Sequence, residues 1–323
     1  MTGRGRRDGR KADDADDPIR LYGVDFSAAA SDAGTKTWIA SGHLTAGGGG
    51  LIIDTVLPLV DAVGLDTADR DAALPALADR IRGLDERAVV GLDFPFGLPR
   101  FIAEENGHES WRSVVEGFPE SIGVSDKADG VDDADTTTDP VRAFAERCVE
   151  LTERHGQGTY DKRETDAVVG ARSPYGFIAD TIAFYGIRDV LAPIAADVRF
   201  APMDRDRDGG WNSGAPAGPT VLETYPAAVL DGLGLCRTNY KGSGDAERRR
   251  RRRNALGLTE AASVNYPSDA GIVDVAAENT SGDALDALAA CVGTYRAWRR
   301  GFAVDIADFA DPSVVEREGY IYA

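Results

Sequence analysis

The run Ala88-Val-Val-Gly-Leu-Asp93 constrains the fold more than any other stretch of the chain. It is short, apolar up to its final acid, and broken at once by Phe94-Pro95-Phe96-Gly97. Such a run suits a strand buried on both faces. The surrounding pattern supplies companions. Residues 20–26, 36–44 and 51–57 read as three strands of a meander, with a turn at Gly47 to Gly50. Residues 69–84 place Leu74, Leu77, Ala78 and Ile81 on one helical face. Val221-Leu222-Glu223-Thr224 reads as a further core strand, and Pro226 opens a helix at its favoured first position. Helical patterns are expected at 140–153, 176–195, 247–256 and 282–300, a short strand at 197–201 and an edge strand at 319–322. In the last helix Leu285, Leu288, Ala289, Val292 and Tyr295 keep the spacing of a buried stripe.

Several acids sit where acids are costly. Asp25 lies inside an apolar strand, Asp93 ends one, Glu223 follows Thr-Val-Leu in another, and Asp283 and Asp286 share a face of the last helix. A buried ionised carboxylate without a partner is strongly disfavoured. One such residue reads as a cap or a structural acceptor, and the Asp283/Asp286 pair also suits the positive end of a helix dipole. If the set converges, two carboxylates about 4 Å apart repel by about 4 kcal/mol at an effective dielectric of 20. The cluster must then take up protons or bind a cation. Oxygen donors without His or Cys select Mg²⁺ or Mn²⁺.

Composition narrows the setting. The 323 residues allow one large domain with insertions, or two domains. No apolar run approaches the roughly 18 residues that a membrane helix needs, so no membrane partner is expected. Cys148, Cys236 and Cys291 are far apart and odd in number, which fits a reducing, cytoplasmic setting. The chain has no CxxC pair, and His43, His108 and His155 form no HExxH motif, which argues against zinc. The net charge is −18, with 54 acidic against 36 basic residues. Lysines number only five, at 11, 36, 127, 162 and 241, so the surface resembles that of extreme halophiles. The exception is Arg248 to Arg253, six consecutive arginines that would attract a polyanion; nucleic acid is the candidate partner. Compensation by neighbouring acids is the plainer reading of that run.

The ordered set of short motifs resembles domain-of-unknown-function family 429, a set of predicted nucleases of the ribonuclease-H-like superfamily. The matching pieces are Gly23-Val24-Asp25, Leu92 to Pro99, Glu223 to Ala227, and Tyr240-Lys241-Gly242 followed by the arginines. Asp283 to Leu288, Glu318 to Ile321, Arg163 to Asp166 and Arg172-Ser173-Pro174 complete the set. The resemblance implies an α/β fold: a ribonuclease-H-like mixed five-stranded sheet of order 3-2-1-4-5, flanked by helices. Residues 1–18 are expected to form a disordered arm, and 19–323 a single domain. Within it, about 98–219 form a helical insertion that includes a flexible acidic loop at 120–139.

On that fold Asp25 is the expected bridging metal ligand, with Asp93 and Glu223 on either side. Asp286 is the fourth ligand and Asp283 the second choice. Lys241 contacts a phosphate or neutralises the transition state; a solvated loop lysine is the equal alternative. Arg163 and Asp166 read as a structural pair. The expected function is metal-dependent phosphodiester hydrolysis by a carboxylate-bound Mg²⁺ or Mn²⁺ site. One alternative is an ATP-dependent phosphotransferase or ATPase of the actin-like fold, for which Phe26-Ser27-Ala28-Ala29-Ala30 and Phe94 to Gly97 are poor phosphate loops. The other is a non-catalytic scaffold on the same fold.

Overall fold

The computed structural model describes residues 18–124, 139–156, 158–206, 208–305, 309 and 311–323. Residues 1–17 of the expected arm and 125–138 of the expected acidic loop lie outside these. Eight strands form one sheet: β1 (Arg20–Asp25), β2 (Trp38–Leu44), β3 (Leu51–Pro58), β4 (Val89–Asp93), β5 (Arg199–Ala201), β6 (Thr220–Thr224), β7 (Val264–Asn265) and β8 (Ile321–Tyr322). They run in the order β5-β6-β4-β1-β2-β3-β7, with β8 pairing β6 off that path. The β1-β2-β3 meander is antiparallel, whereas β1-β4, β4-β6 and β5-β6 are parallel. The sheet is therefore open, mixed and wider than the five strands expected. Its additional strands are short; β7 and β8 have only two residues each, too few for a pattern of alternation to reveal.

Six helices position or border the acidic residues: α1 (Arg70–Arg82), α2 (Pro140–Arg154), α3 (Glu164–Val169), α4 (Ile178–Tyr185), α5 (Asp245–Ala262) and α6 (Asp283–Arg299). The pleat divides the core into two layers. Tyr22, Val24, Val90, Leu92 and Val221 belong to a layer that also holds Leu74 and Leu77 of α1, Phe144 of α2 and Phe184 of α4. Leu21, Val89 and Leu222 belong to the other, with Leu285, Leu288 and Val292 of α6.

Two glycines let α6 lie directly on the sheet. A Cβ on Gly23 would stand 2.0 Å from the Cys291 amide nitrogen, and one on Gly91 would stand 2.1 Å from Thr294 Oγ1. Any side chain at either position would push the helix away. With both absent, the Thr294 hydroxyl reaches the Tyr22 carbonyl at 3.1 Å. Gly23 and Gly91 are also partners in register. Two residues further on, by the same alternation, Asp25 and Asp93 reach that same face at the carboxyl ends of their strands.

Candidate functional site

Asp25 and Asp93 are register partners on adjacent parallel strands, so their side chains emerge side by side. The carboxyl ends of parallel strands are where open α/β sheets place their ligand clefts. A cleft of about 630 Å³ opens here, with both aspartates, Lys241 and Asp283 in its lining. The first turn of α6 stands over this point and brings Asp286 with it. The Asp286 carboxylate is buried and fully engaged: Tyr240 Oη donates to Oδ1 at 2.6 Å, and Lys241 Nζ lies 2.8 Å from Oδ2. Asp283, one turn nearer the helix start, is less buried and accepts from the Ser281 hydroxyl at 2.7 Å.

The electrostatics are those of a crowded anionic site. Burial raises the Asp25 carboxyl well above the usual range, and Asp286, Asp93 and Asp283 push it the same way. Asp93 is raised by burial and by Asp286, with Lys241 opposing. Burial also raises Asp286, offset in part by Lys241 and by the Tyr240 hydroxyl. Lys241 responds in reverse: burial works against its charge, but Asp286 and Asp25 outweigh it and strengthen its hold on the proton. Lys241 is thus the ammonium that acts on Asp25, Asp93 and Asp286 together, while Lys36 in the same lining feels Asp283. Among the described residues, no group of three or more His, Cys, Asp or Glu is set closely enough to hold a metal ion as it stands. The donor set itself fits a hard divalent cation: the acids are oxygen donors, crowded, desolvated and short of positive charge.

Glu223 reaches the same cleft by a different route. It is the register partner of Leu92 and, like Val221, faces the layer opposite α6. There both its oxygens are committed. Arg163 Nη2 donates to Oε1 at 2.6 Å and Nη1 to Oε2 at 2.8 Å, and the Phe96 amide donates to Oε2 at 3.0 Å. Arg163 also grips Asp166, with Nη2 2.7 Å from Oδ1 and Nε 3.0 Å from Oδ2. The expected Arg163–Asp166 pair is present, within a buried triad that the sequence did not disclose. The triad ties α3 to β6 and to the turn that stops β4. Removing one member of such a buried set costs about 3–5 kcal/mol, because a charge is left uncompensated.

The arginine run also divides. Arg248 and Arg252 pair with Glu278 and Asp274, and Arg250 contacts Glu247 at 3.0 Å. Arg251 is buried and turned inward. Its guanidinium donates to the carbonyls of Ala277, Tyr240 and Gly242 at 2.9, 2.6 and 2.8 Å. It thereby holds the loop that carries Tyr240 and Lys241 to Asp286. Of the six arginines expected to attract a polyanion, Arg251 is therefore withdrawn into the structure. The signal was available: Arg251, Asn254, Ala255 and Leu258 keep the i, i+3, i+4, i+7 spacing of a buried stripe, and all four are buried.

The stretch that spans β5, β6, the Tyr240–Lys241 loop, α5 and α6 also matches a known family model, described as "Protein of unknown function (DUF429)". Residues 198–308 belong to that family. The DUF429 segment makes up about a third of the chain and contains Glu223, Lys241, Asp283 and Asp286. Asp25, Asp93 and the Arg163–Asp166 pair lie before it. No curated protein and no solved structure matches the chain. No helix among the described residues is long and apolar enough to cross a membrane.

Proposed function

We propose that the protein is a divalent-metal-dependent phosphodiesterase acting on nucleic acid, with a ribonuclease-H-like core formed by β3-β2-β1-β4-β6. The observation that carries this reading is the placing of Asp25 and Asp93 side by side at two adjacent strand ends in one cleft, within electrostatic reach of Asp286 in the first turn of α6. Their shared deficit of positive charge supports a cation there. Asp25, Asp93 and Asp286 would hold Mg²⁺ or Mn²⁺, with Asp283 in the cleft's lining beside them. A bound divalent cation supplies an activated water and a counter-charge for the phosphate oxygens.

The chain's own groups account for the rest. Tyr240 holds Asp286 in place through its hydroxyl. Lys241 offsets the acids and offers an ammonium to a phosphate on entry. Arg251 fixes the backbone of that loop. We assign Glu223 to orienting Arg163 and the Phe94–Gly97 turn rather than to the cation, because it faces the layer opposite α6 and the buried Arg163 guanidinium already balances its charge.

The test is cleavage of labelled single- and double-stranded DNA and RNA by the full-length chain with Mn²⁺ or Mg²⁺, with and without chelator. Metal-dependent cleavage should appear and fall at least about 100-fold in Asp93→Asn; loss of a mere outer-shell partner already costs roughly 10–100-fold. Cleavage that survives this substitution would remove the site from the reading.

A further inference from the structure

Beside the carboxylate cleft lies a second concavity of about 490 Å³, lined by Tyr160, Lys162, Arg172 and Phe177 among others. Arg172 borders both spaces, and Ile178, next to Phe177, lines the first. The aromatic residues there are displayed rather than packed away. Phe177 is 75% exposed and Tyr160 48%, with ring centroids 5.8 Å apart and planes inclined by 30°. Phe177 adopts φ 53° and ψ −130°, a backbone conformation that bulky side chains rarely take. A strained, outward-facing phenylalanine at the mouth of a cleft is a feature that folding alone does not ask for. Lys162 and Arg172 are both exposed, and among the described residues neither forms an ion pair. On a chain of net charge −18, an unpaired cationic pair beside two open rings is complementary to an anionic ligand with flat faces.

We propose that Tyr160 and Phe177 form a stacking platform for the unpaired bases of a single-stranded nucleic acid, with Lys162 and Arg172 engaging its phosphates and directing the strand toward Asp25 and Asp93. This deepens, and rests on, the phosphodiesterase reading above. Stacking on exposed rings requires bases free of a duplex, so the substrate class is single-stranded DNA or RNA. The platform belongs to the insertion, which gives that segment a role in substrate choice.

The test is fluorescence anisotropy with labelled oligothymidylate, oligouridylate and a duplex of equal length, using the full-length chain without divalent ions so that binding is read apart from cleavage. Phe177→Gly suits this assay because glycine accepts the positive φ, so the melting curve should be kept or improved. Single strands should bind more tightly than duplex, and Phe177→Gly should weaken them about tenfold, within the range for losing one stacked base. Lys162→Gln with Arg172→Gln should lower the salt-dependence slope by about 1.4, at roughly 0.7 per phosphate contact on a single strand. A preference for either single strand over the duplex would support the proposal. Equal binding of single strand and duplex, unchanged affinity in a well-folded Phe177→Gly, or absence of oligonucleotide binding would overturn it. Self-association abolished by Phe177→Gly, without oligonucleotide binding, would overturn it in favour of a protein contact. The two readings fail separately. Intact single-strand binding with no Mn²⁺-dependent cleavage sinks the phosphodiesterase, and cleavage with Phe177→Gly behaving as wild type sinks the platform alone.

Discussion

Asp25→Asn melts at a higher temperature than the wild type at neutral pH, by roughly 1.5–3 °C, while losing metal-dependent activity. The expected gain is about 1–2 kcal/mol, and at about 2.1 cal/mol/K of unfolding entropy per residue each kcal/mol moves the midpoint of a chain of this size by roughly 1.5 °C. Asn keeps the shape of the side chain but removes the charge that burial, Asp286, Asp93 and Asp283 all oppose. The pH dependence follows from the direction of the shift. A carboxyl raised in the folded state binds its proton more tightly there than in the unfolded chain. Its contribution to stability is therefore complete below the unfolded aspartate value of about 3.9, and is lost as pH rises through the raised folded value. Wild type gives up this share progressively as pH rises above about 4, and the Asn variant has none to give up. The gap between the two melting curves should be wider at neutral pH than near pH 4 and should close as pH falls toward about 4. Thermal melts at several pH values, without divalent ions, measure both effects. A variant that melts lower than wild type at neutral pH would show that Asp25 is a structural acceptor and not a strained functional acid.

Gly23→Ala should be the most damaging single-methyl change in the sheet. Its Cβ would sit 2.0 Å from the Cys291 nitrogen and 2.5 Å from the Ala287 carbonyl oxygen, both backbone atoms of α6. A side chain in the way could rotate, but a helix backbone must translate. Overpacking commonly costs about 1–3 kcal/mol and occasionally more; a clash with three backbone atoms of α6 places this variant at about 4 kcal/mol or beyond. The displacement also lifts Asp286 and Asp283 from Asp25 and Asp93, so the residual folded protein should lose the site. Gly49→Ala is the control: the added methyl meets nothing within 4 Å. Chemical denaturation of the two variants beside wild type should show a large loss for the first and almost none for the second. Equal stability would mean that α6 does not rest on β1 in this way.

The part of the site that could be read from sequence is the part governed by alternation. Once 20–25 and 89–93 are strands, parity alone places Asp25 on the face of Gly23 and Asp93 on that of Gly91, and small residues there invite a helix. Glu223 escaped because parity fixes a residue's face only relative to its own strand. Which layer that face meets depends on the pairing of Glu223 with Leu92, a register set by tertiary contacts. Its partner Arg163 stands 60 residues earlier, in a stretch whose path no periodicity describes. Arg251 was hidden among five neighbours of the same type, where charge drew attention away from the buried stripe it shares with Leu258. The edge strands were legible only as fragments, because two or three residues carry no period.

In the proposed enzyme Asp25, Asp93 and Asp286 act together on a divalent cation. Calorimetric titration of Mn²⁺ into the wild type and into Asp93→Asn tests this directly. Saturable binding to the wild type, weakened at least about tenfold by the substitution, is the predicted result. No binding to the wild type, or binding that the substitution leaves unchanged, would contradict it.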